Sequence, residues 1–232
     1  MKFPNPLLKG ILVRRYKRFM ADIVLETGEE ITAHCANSGS MMGVKGEGVE
    51  VWVSPANNPK RKLKYTWELI KVGKSLVGIN TSLSNKIAQE SIETGVVAEL
   101  QGYDTLRSEV KYGKNSRIDL LLENPFKPAC YVEIKNVTLR RDRSAEFPDS
   151  VTARGTKHLA ELANQVAAGD RAVMYYLTQR EDCDTFTVAK DIDPEYATAL
   201  EKAMAAGVEV ICYGCKLTPE EIQVISTLSI EV

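Results

Sequence analysis

Between residues 10 and 80 the apolar positions recur in short runs, with the period of half-buried strands and no convincing helix. The runs fall near 11–16, 19–25, 31–34, 49–53 and 63–72. Turn-forming groups separate them: Thr27-Gly28, Asn37-Ser38-Gly39 and Asn57-Asn58-Pro59. About five strands with glycine-rich turns predict an all-β barrel of the oligonucleotide-binding (OB) kind, because closure removes exposed sheet edges.

Near residue 80 the pattern changes, placing a domain boundary between residues 1–80 and 81–232. Leu83, Ile87, Ala88 and Ile92 lie at helical spacing and stop at Thr94-Gly95. Strands are expected at 106–112, 117–123 and 130–137, with Gly113-Lys114-Asn115 turning the first into the second. Residues 138–154 read as a charged, irregular loop. A helix follows over 155–168, then a buried strand over 171–177. Asp193 and Pro194 open a helix that ends at Gly207. A strand is expected over 208–213, and Thr218-Pro219-Glu220-Glu221 predicts the start of a last short helix. The second unit is therefore α/β, with helices covering a mixed sheet.

The net charge of −1 conceals an asymmetry. Residues 1–80 carry 13 Lys and Arg against 7 Asp and Glu, and the remainder carries 17 against 24. The basic residues cluster as Arg14, Arg15, Lys17, Arg18 and as Lys60, Arg61, Lys62, Lys64, interleaved with Tyr16, Phe19, Tyr65 and Trp67. Such groups suit phosphate neutralisation and base stacking, so DNA, with RNA as the alternative, is the expected partner. The bland reading is a barrel core of aromatics with ordinary surface lysines. No apolar run would span a bilayer, and the broken apolar segment at the start is not that of a signal peptide, so a cytoplasmic protein without a membrane partner is expected. Cys35, Cys130, Cys183, Cys212 and Cys215 are too scattered for a disulfide framework. Cys212 and Cys215 have the spacing of half a zinc site, but nothing completes it.

Chemistry concentrates in residues 116–137. If the connection is symmetric about Phe126, Leu122 pairs with Cys130 and Asp119 falls opposite Glu133, with Lys135 on the same strand face as Glu133. Opposed carboxylates repel unless something holds them, and a divalent cation is the simplest such thing. Asp119 and Glu133 would hold Mg²⁺, with Mn²⁺ as alternative, while Lys135 orients water or stabilises the phosphate in phosphodiester hydrolysis. The bland alternative is a Glu133–Lys135 surface ion pair. Glu109 joins the catalytic set if the turn at 113–115 has three residues, and faces elsewhere if it has two. Arg140 and Arg141, with Arg143, either reach phosphates beside the site or decorate a solvated loop. His158 either contacts the site or phosphate, or has a surface or capping role.

The segments GKNSRIDLLL (113–122), YVEIKNVTL (131–139), FPDSVTARGTKHLAEL (147–162) and HCANSGSMMG (34–43) resemble the sugar fermentation stimulation protein (SfsA) family. That resemblance implies an N-terminal OB-fold barrel joined to a restriction-endonuclease-like domain of the PD-(D/E)xK type. It maps the motif onto Asp119, Glu133 and Lys135, with Ile118 where the motif has proline. It also implies weakly sequence-selective DNA binding linked to regulation of sugar metabolism. An active Mg²⁺-dependent nuclease is the rival reading, since such domains include binders that do not cut. A second copy of the chain and a transcription-regulating protein are the other candidate partners.

Overall fold

The computed structural model of the chain describes residues 1–58, 60–113 and 116–231. The turns expected at Asn57-Asn58-Pro59 and Gly113-Lys114-Asn115 thus lie partly outside the described residues.

The first five strands are β1 (Leu8–Tyr16), β2 (Met20–Leu25), β3 (Glu30–Cys35), β4 (Glu50–Pro55) and β5 (Tyr65–Val72). They pair in the order β3-β2-β1-β4-β5, and a parallel pairing of Ala33 with Tyr65 through Cys35 with Trp67 closes the barrel. This is the expected OB barrel, extended by a sixth strand, β6 (Ser75–Gly78), which pairs with β5. Alternation along the strands sends Leu12, Ile23, Ala33, Val51, Val53 and Trp67 into one apolar interior. Gly10 is needed where β1 crosses β2, because a Cβ there would sit 2.7 Å from both Ile23 and the Val24 carbonyl oxygen.

The second part begins with α1 (Ser84–Glu93) and β7 (Thr105–Tyr112), β8 (Ser116–Glu123) and β9 (Cys130–Val137). After β10 (Leu139–Arg141), β11 (Ser144–Phe147) and α2 (Ala153–Ala167) come β12 (Arg171–Thr178) and β13 (Thr185–Val188). α3 (Pro194–Ala205), β14 (Glu209–Leu217), β15 (Ile222–Thr227) and β16 (Ser229–Glu231) complete the described residues. The central sheet has the order β15-β14-β12-β9-β8-β7. It is mixed, since β12 runs parallel to β9 and β14 while β7, β8 and β15 pair antiparallel. Each face has its own core. Leu120, Val132, Ile134 and Tyr175 pack towards α1, and Leu121, Met174 and Tyr176 towards Leu159, Leu162 and Tyr196 of α2 and α3.

Two expectations need correction. Residues 138–154 are not an irregular loop: β10 and β11 form a hairpin that joins β13 and β16 in a small second sheet. Its arginines are carried by ion pairs to Asp182, Asp184 and Asp191, so charge there does not signal solvated coil. Nor does Thr218 open a helix. Its Oγ1 accepts from the amides of Glu220 and Glu221, at 3.2 Å each, but the chain turns into β15. Alternate burial of Ile222 and Val224 on the sheet decides the outcome against the helix.

The parts of the chain are tied where the 36–45 connection meets the segment before α2. The Asp149 carboxylate accepts from the Met41 amide at 2.8 Å, and the Ser40 hydroxyl donates to the Asp149 carbonyl at 2.7 Å.

Candidate metal centre and nucleic-acid interface

Register builds the site. Leu122 faces Cys130, Leu121 faces Tyr131 and Leu120 faces Val132, as the symmetric connection requires. Beyond that point the ladder opens at Asp119, whose Oδ2 accepts from the Ile134 amide at 2.7 Å in place of a strand partner. On the other side, Tyr112 pairs with Ser116 and Val110 with Ile118, a register that brings Glu109 abreast of Asp119. Glu109 has φ +55°, an uncommon conformation for a residue with a side chain. Asn85 at the start of α1 joins the two acids, donating to Glu109 Oε1 at 3.1 Å and Asp119 Oδ1 at 3.0 Å.

Glu133 lies on the opposite side of Asp119, 2 % exposed. Lys135 donates to its Oε1 at 2.6 Å, and the buried His158 of α2 contacts the same oxygen through Nδ1. Arg154 donates to His158 Nε2 at 3.3 Å. Because a guanidinium can only donate, Nε2 is the acceptor and Nδ1 carries the proton given to Glu133. Glu133 Oε2 is buried without a hydrogen-bond partner.

The two carboxyls respond oppositely. Burial and the charge of Glu133 push Asp119 up to about 6, against the relief given by the Ile134 amide, Asn85 and Lys135. Burial also raises Glu133, but the hydrogen bond from His158 and the charge of Lys135 outweigh it and hold the group below its usual range. A cation would relieve the strain on the Asp119 charge, and Glu133 Oε2 is an oxygen ready to meet it, so the residues fit a hard divalent ion. Among the described residues, however, no three Asp, Glu, His or Cys side chains are closed into a ready-made cage.

Asn85, Glu161 and Tyr112 escaped the sequence reading. Glu161 follows His158 by three residues on the buried face of α2, a signal visible once that helix face is known.

The basic groups divide by role. Arg15 spans to the carbonyls of Asn37 at 3.0 Å and Gly39 at 3.1 Å, and Arg18 to Ser38 at 2.9 Å, so both brace the 36–45 connection. Arg14 pairs with Asp22 at 2.9 Å and lies over Tyr16. Lys17 and Arg18 are exposed in the β1–β2 turn, and Lys60, Lys62 and Lys64 in the β4–β5 connection. Arg61 donates to Thr66 at 2.8 Å, and Thr66 lies abreast of His34, itself abreast of Met20. The two clusters therefore flank β2 and β3, the face with which such barrels hold oligonucleotides. Arg140 and Arg141 are instead engaged by Asp182, Glu146 and Asp191. Cys212 and Cys215 are buried in the cores on opposite faces of the central sheet, so they do not form half a metal site. No disulfide joins the described cysteines.

An OB barrel followed by a restriction-endonuclease-like domain defines the class of protein. Residues 13–79 match the SfsA N-terminal OB domain, and residues 82–221 match the sugar fermentation stimulation protein RE domain. The chain belongs to the sugar fermentation stimulation protein family. It is 57% identical over 232 residues to a sugar fermentation stimulation protein homolog of Paramagnetospirillum magneticum, covering 100% of this chain and 98% of the relative. A homolog from Maricaulis maris is 54% identical over 233 residues, covering 100% and 99%. Among solved structures, Pyrococcus furiosus SfsA in complex with Ca²⁺ superposes with a TM-score of 0.91 at 27% identity, covering 100% of this chain and 98% of that one. No helix among the described residues is long and apolar enough to cross a membrane.

Proposed function

We propose that this chain is a cytoplasmic DNA-binding protein whose residues 81–232 carry a Mg²⁺-competent site of the nuclease type, and whose residues 1–80 hold the nucleic acid. The observation that carries the reading is the buried Glu133, bonded to Lys135 through one oxygen, unpartnered at the other, and near enough to Asp119 for its charge to raise that carboxyl. The Ca²⁺ complex of the Pyrococcus furiosus relative supports a divalent ion at this kind of fold. Asp119 and Glu133 would hold the ion, which when bound supplies a Lewis acid and a more acidic water. Lys135, held beside Glu133, would orient the attacking water or offset charge on the phosphate. Glu109, through Asn85, would keep Asp119 aimed. Lys17, Arg18, Lys60, Arg61, Lys62 and Lys64 would neutralise phosphates with little sequence preference. Control of sugar metabolism, suggested by the family's name, would follow from DNA binding.

The test uses the full chain with labelled single- and double-stranded DNA and RNA, with and without Mg²⁺. Binding that weakens steeply with salt is expected, and salt-insensitive binding or none overturns the nucleic-acid reading. Mg²⁺-dependent cleavage that disappears in both Asp119→Ala and Lys135→Ala establishes hydrolysis. Intact substrate with retained binding establishes a binder that does not cut.

A further inference from the structure

Buried polar atoms without hydrogen-bond partners are rare in folded proteins, and a local concentration of them calls for a physical reason, a bound ion among them. Six buried side-chain polar atoms of the described residues lack partners. Four of the six are oxygens of three residues: Tyr112 Oη, Glu133 Oε2 and both carboxylate oxygens of Glu161. The remaining two, on Arg15 and Gln179, belong to the barrel and to the junction between the parts.

Glu161 is 7 % exposed, which makes two oxygens without hydrogen bonds expensive for a charged group. Lys157 of the same helix forms an i,i+4 ion pair with it at 3.6 Å from a half-exposed side chain, beyond hydrogen-bond length. The carboxylate is aimed at the end of β7, where a Cβ on Gly113 would lie 3.1 Å from Oε1. Gly113, at φ +54°, is thus what lets the acid approach the chain beside Tyr112. His158, one turn earlier on the same helix, touches Glu133, so α2 suspends Glu161 on the same side of the sheet. Tyr112 registers the whole group. Its phenol is pushed up by burial and then by the charges of Glu133, Glu161 and Asp119.

We infer that Glu161 is a further carboxylate arm of the metal centre, sharing with Glu133 Oε2 a hard divalent cation and its water shell on the α2 side. The inference rests on the reading of Asp119 and Glu133 as a cation site. Mg²⁺ and Mn²⁺ keep several waters, so two protein oxygens suffice and no closed cage of three acids is required. The Tyr112 hydroxyl supplies a hydrogen bond to that water shell.

Mn²⁺ binding to the full-length protein tests this, by the electron paramagnetic resonance signal of the free ion and by thermal melts with EDTA or Mn²⁺. Glu161→Gln is expected to weaken Mn²⁺ binding by about tenfold or more while raising the melting midpoint in EDTA. Asp119→Asn must weaken binding as well. Wild-type Mn²⁺ affinity and stoichiometry in Glu161→Gln, with Asp119→Asn impaired, overturns the role of Glu161 and spares the site. No Mn²⁺ binding to the wild type at millimolar concentration overturns both. Should Glu161→Gln fail to fold, Glu161→Asp keeps the charge but withdraws it by a methylene. Weakened binding in that variant supports the arm, and unchanged binding refutes it.

Discussion

Asp119→Asn is expected to abolish a pH-dependence of stability whose size follows from the site. In the folded protein the Asp119 carboxyl takes up its proton near pH 6, whereas its ordinary value is 3.8. The cause is burial first and the adjacent Glu133 charge second. A raised carboxyl penalises the folded state above its folded pKa, and the penalty disappears as pH falls towards the unfolded value. At roughly 1.4 kcal/mol per pKa unit, the gap costs about 3 kcal/mol at neutral pH without metal. For a chain of this size that corresponds to about 6–12 °C in melting midpoint. Urea unfolding in EDTA between about pH 7.5 and 4.5 should therefore show the wild type gaining stability on Asp119→Asn's flatter baseline as pH drops. Glu68 and Glu146 are raised by burial too and add slope in both proteins, so the difference between the two curves is the measured quantity. Glu133 is lowered, so its own contribution is lost only at more acid pH, outside this window. The substitution keeps the bond from the Ile134 amide, which one amide oxygen can accept, while Asn85 must rotate its amide to meet the new N–H and gives up its bond to the exposed Glu109. Parallel curves for the two proteins would refute the claim that Asp119 bears a strained charge. Added Mn²⁺ should remove the slope in the wild type, because the ion and the proton compete for one carboxyl.

Other substitutions probe the supports. His158→Asn should retain cation affinity, because its amide can replace the Nδ1 donor, whereas His158→Leu should lose about ten- to a hundredfold; equal Mn²⁺ isotherms would remove His158 from any positioning role. Asp149→Ala should cost about 1.5–3 kcal/mol by stripping the charged acceptor from the Met41 amide, read as faster hydrogen exchange at Met41 with the Asp119 site unchanged. Replacing Lys17, Lys60 and Lys62 by Gln should reduce the slope of log affinity against log salt by about 0.9 for each duplex phosphate no longer neutralised, and an unchanged slope would move the DNA elsewhere.

What could be read from the residues depended on whether the deciding interaction was local. The pairing of Leu122 with Cys130 follows from a turn symmetric about Phe126, and Asp119 and Glu133 are then neighbours without further information. Likewise Asp193 and Pro194 start α3 by local capping, with Asp193 accepting from the Tyr196 amide at 3.0 Å. The β10–β11 hairpin fails that condition. Its strands are short and arginine-rich, and Asp182, Asp184 and Asp191, some forty residues or more away, make the arginines belong there. Thr218 shows the same limit from the other side, since its hydroxyl meets the amides of Glu220 and Glu221 alike in a helix start and in a turn.

Glu161 breaks the apolar pattern of its own helix face. In α2 the spacing of Leu159, Leu162 and His158 defines a buried face, and Glu161 falls on that face with an ionisable group. Local consistency would place alanine or leucine there, and a sequence that breaks its own pattern does so at cost. Within the helix the ion pair with the half-exposed Lys157, at 3.6 Å, offsets part of the charge but gives the carboxylate oxygens no hydrogen bond. Compensation must then come from the facing sheet, where Glu133 Oε2 and the Tyr112 hydroxyl are equally short of partners. Two carboxylate oxygens cannot satisfy one another, but each can satisfy a cation. The misfit residue on α2 and the opposed acids on β8 and β9 are therefore one feature, seen once along the helix and once across the sheet.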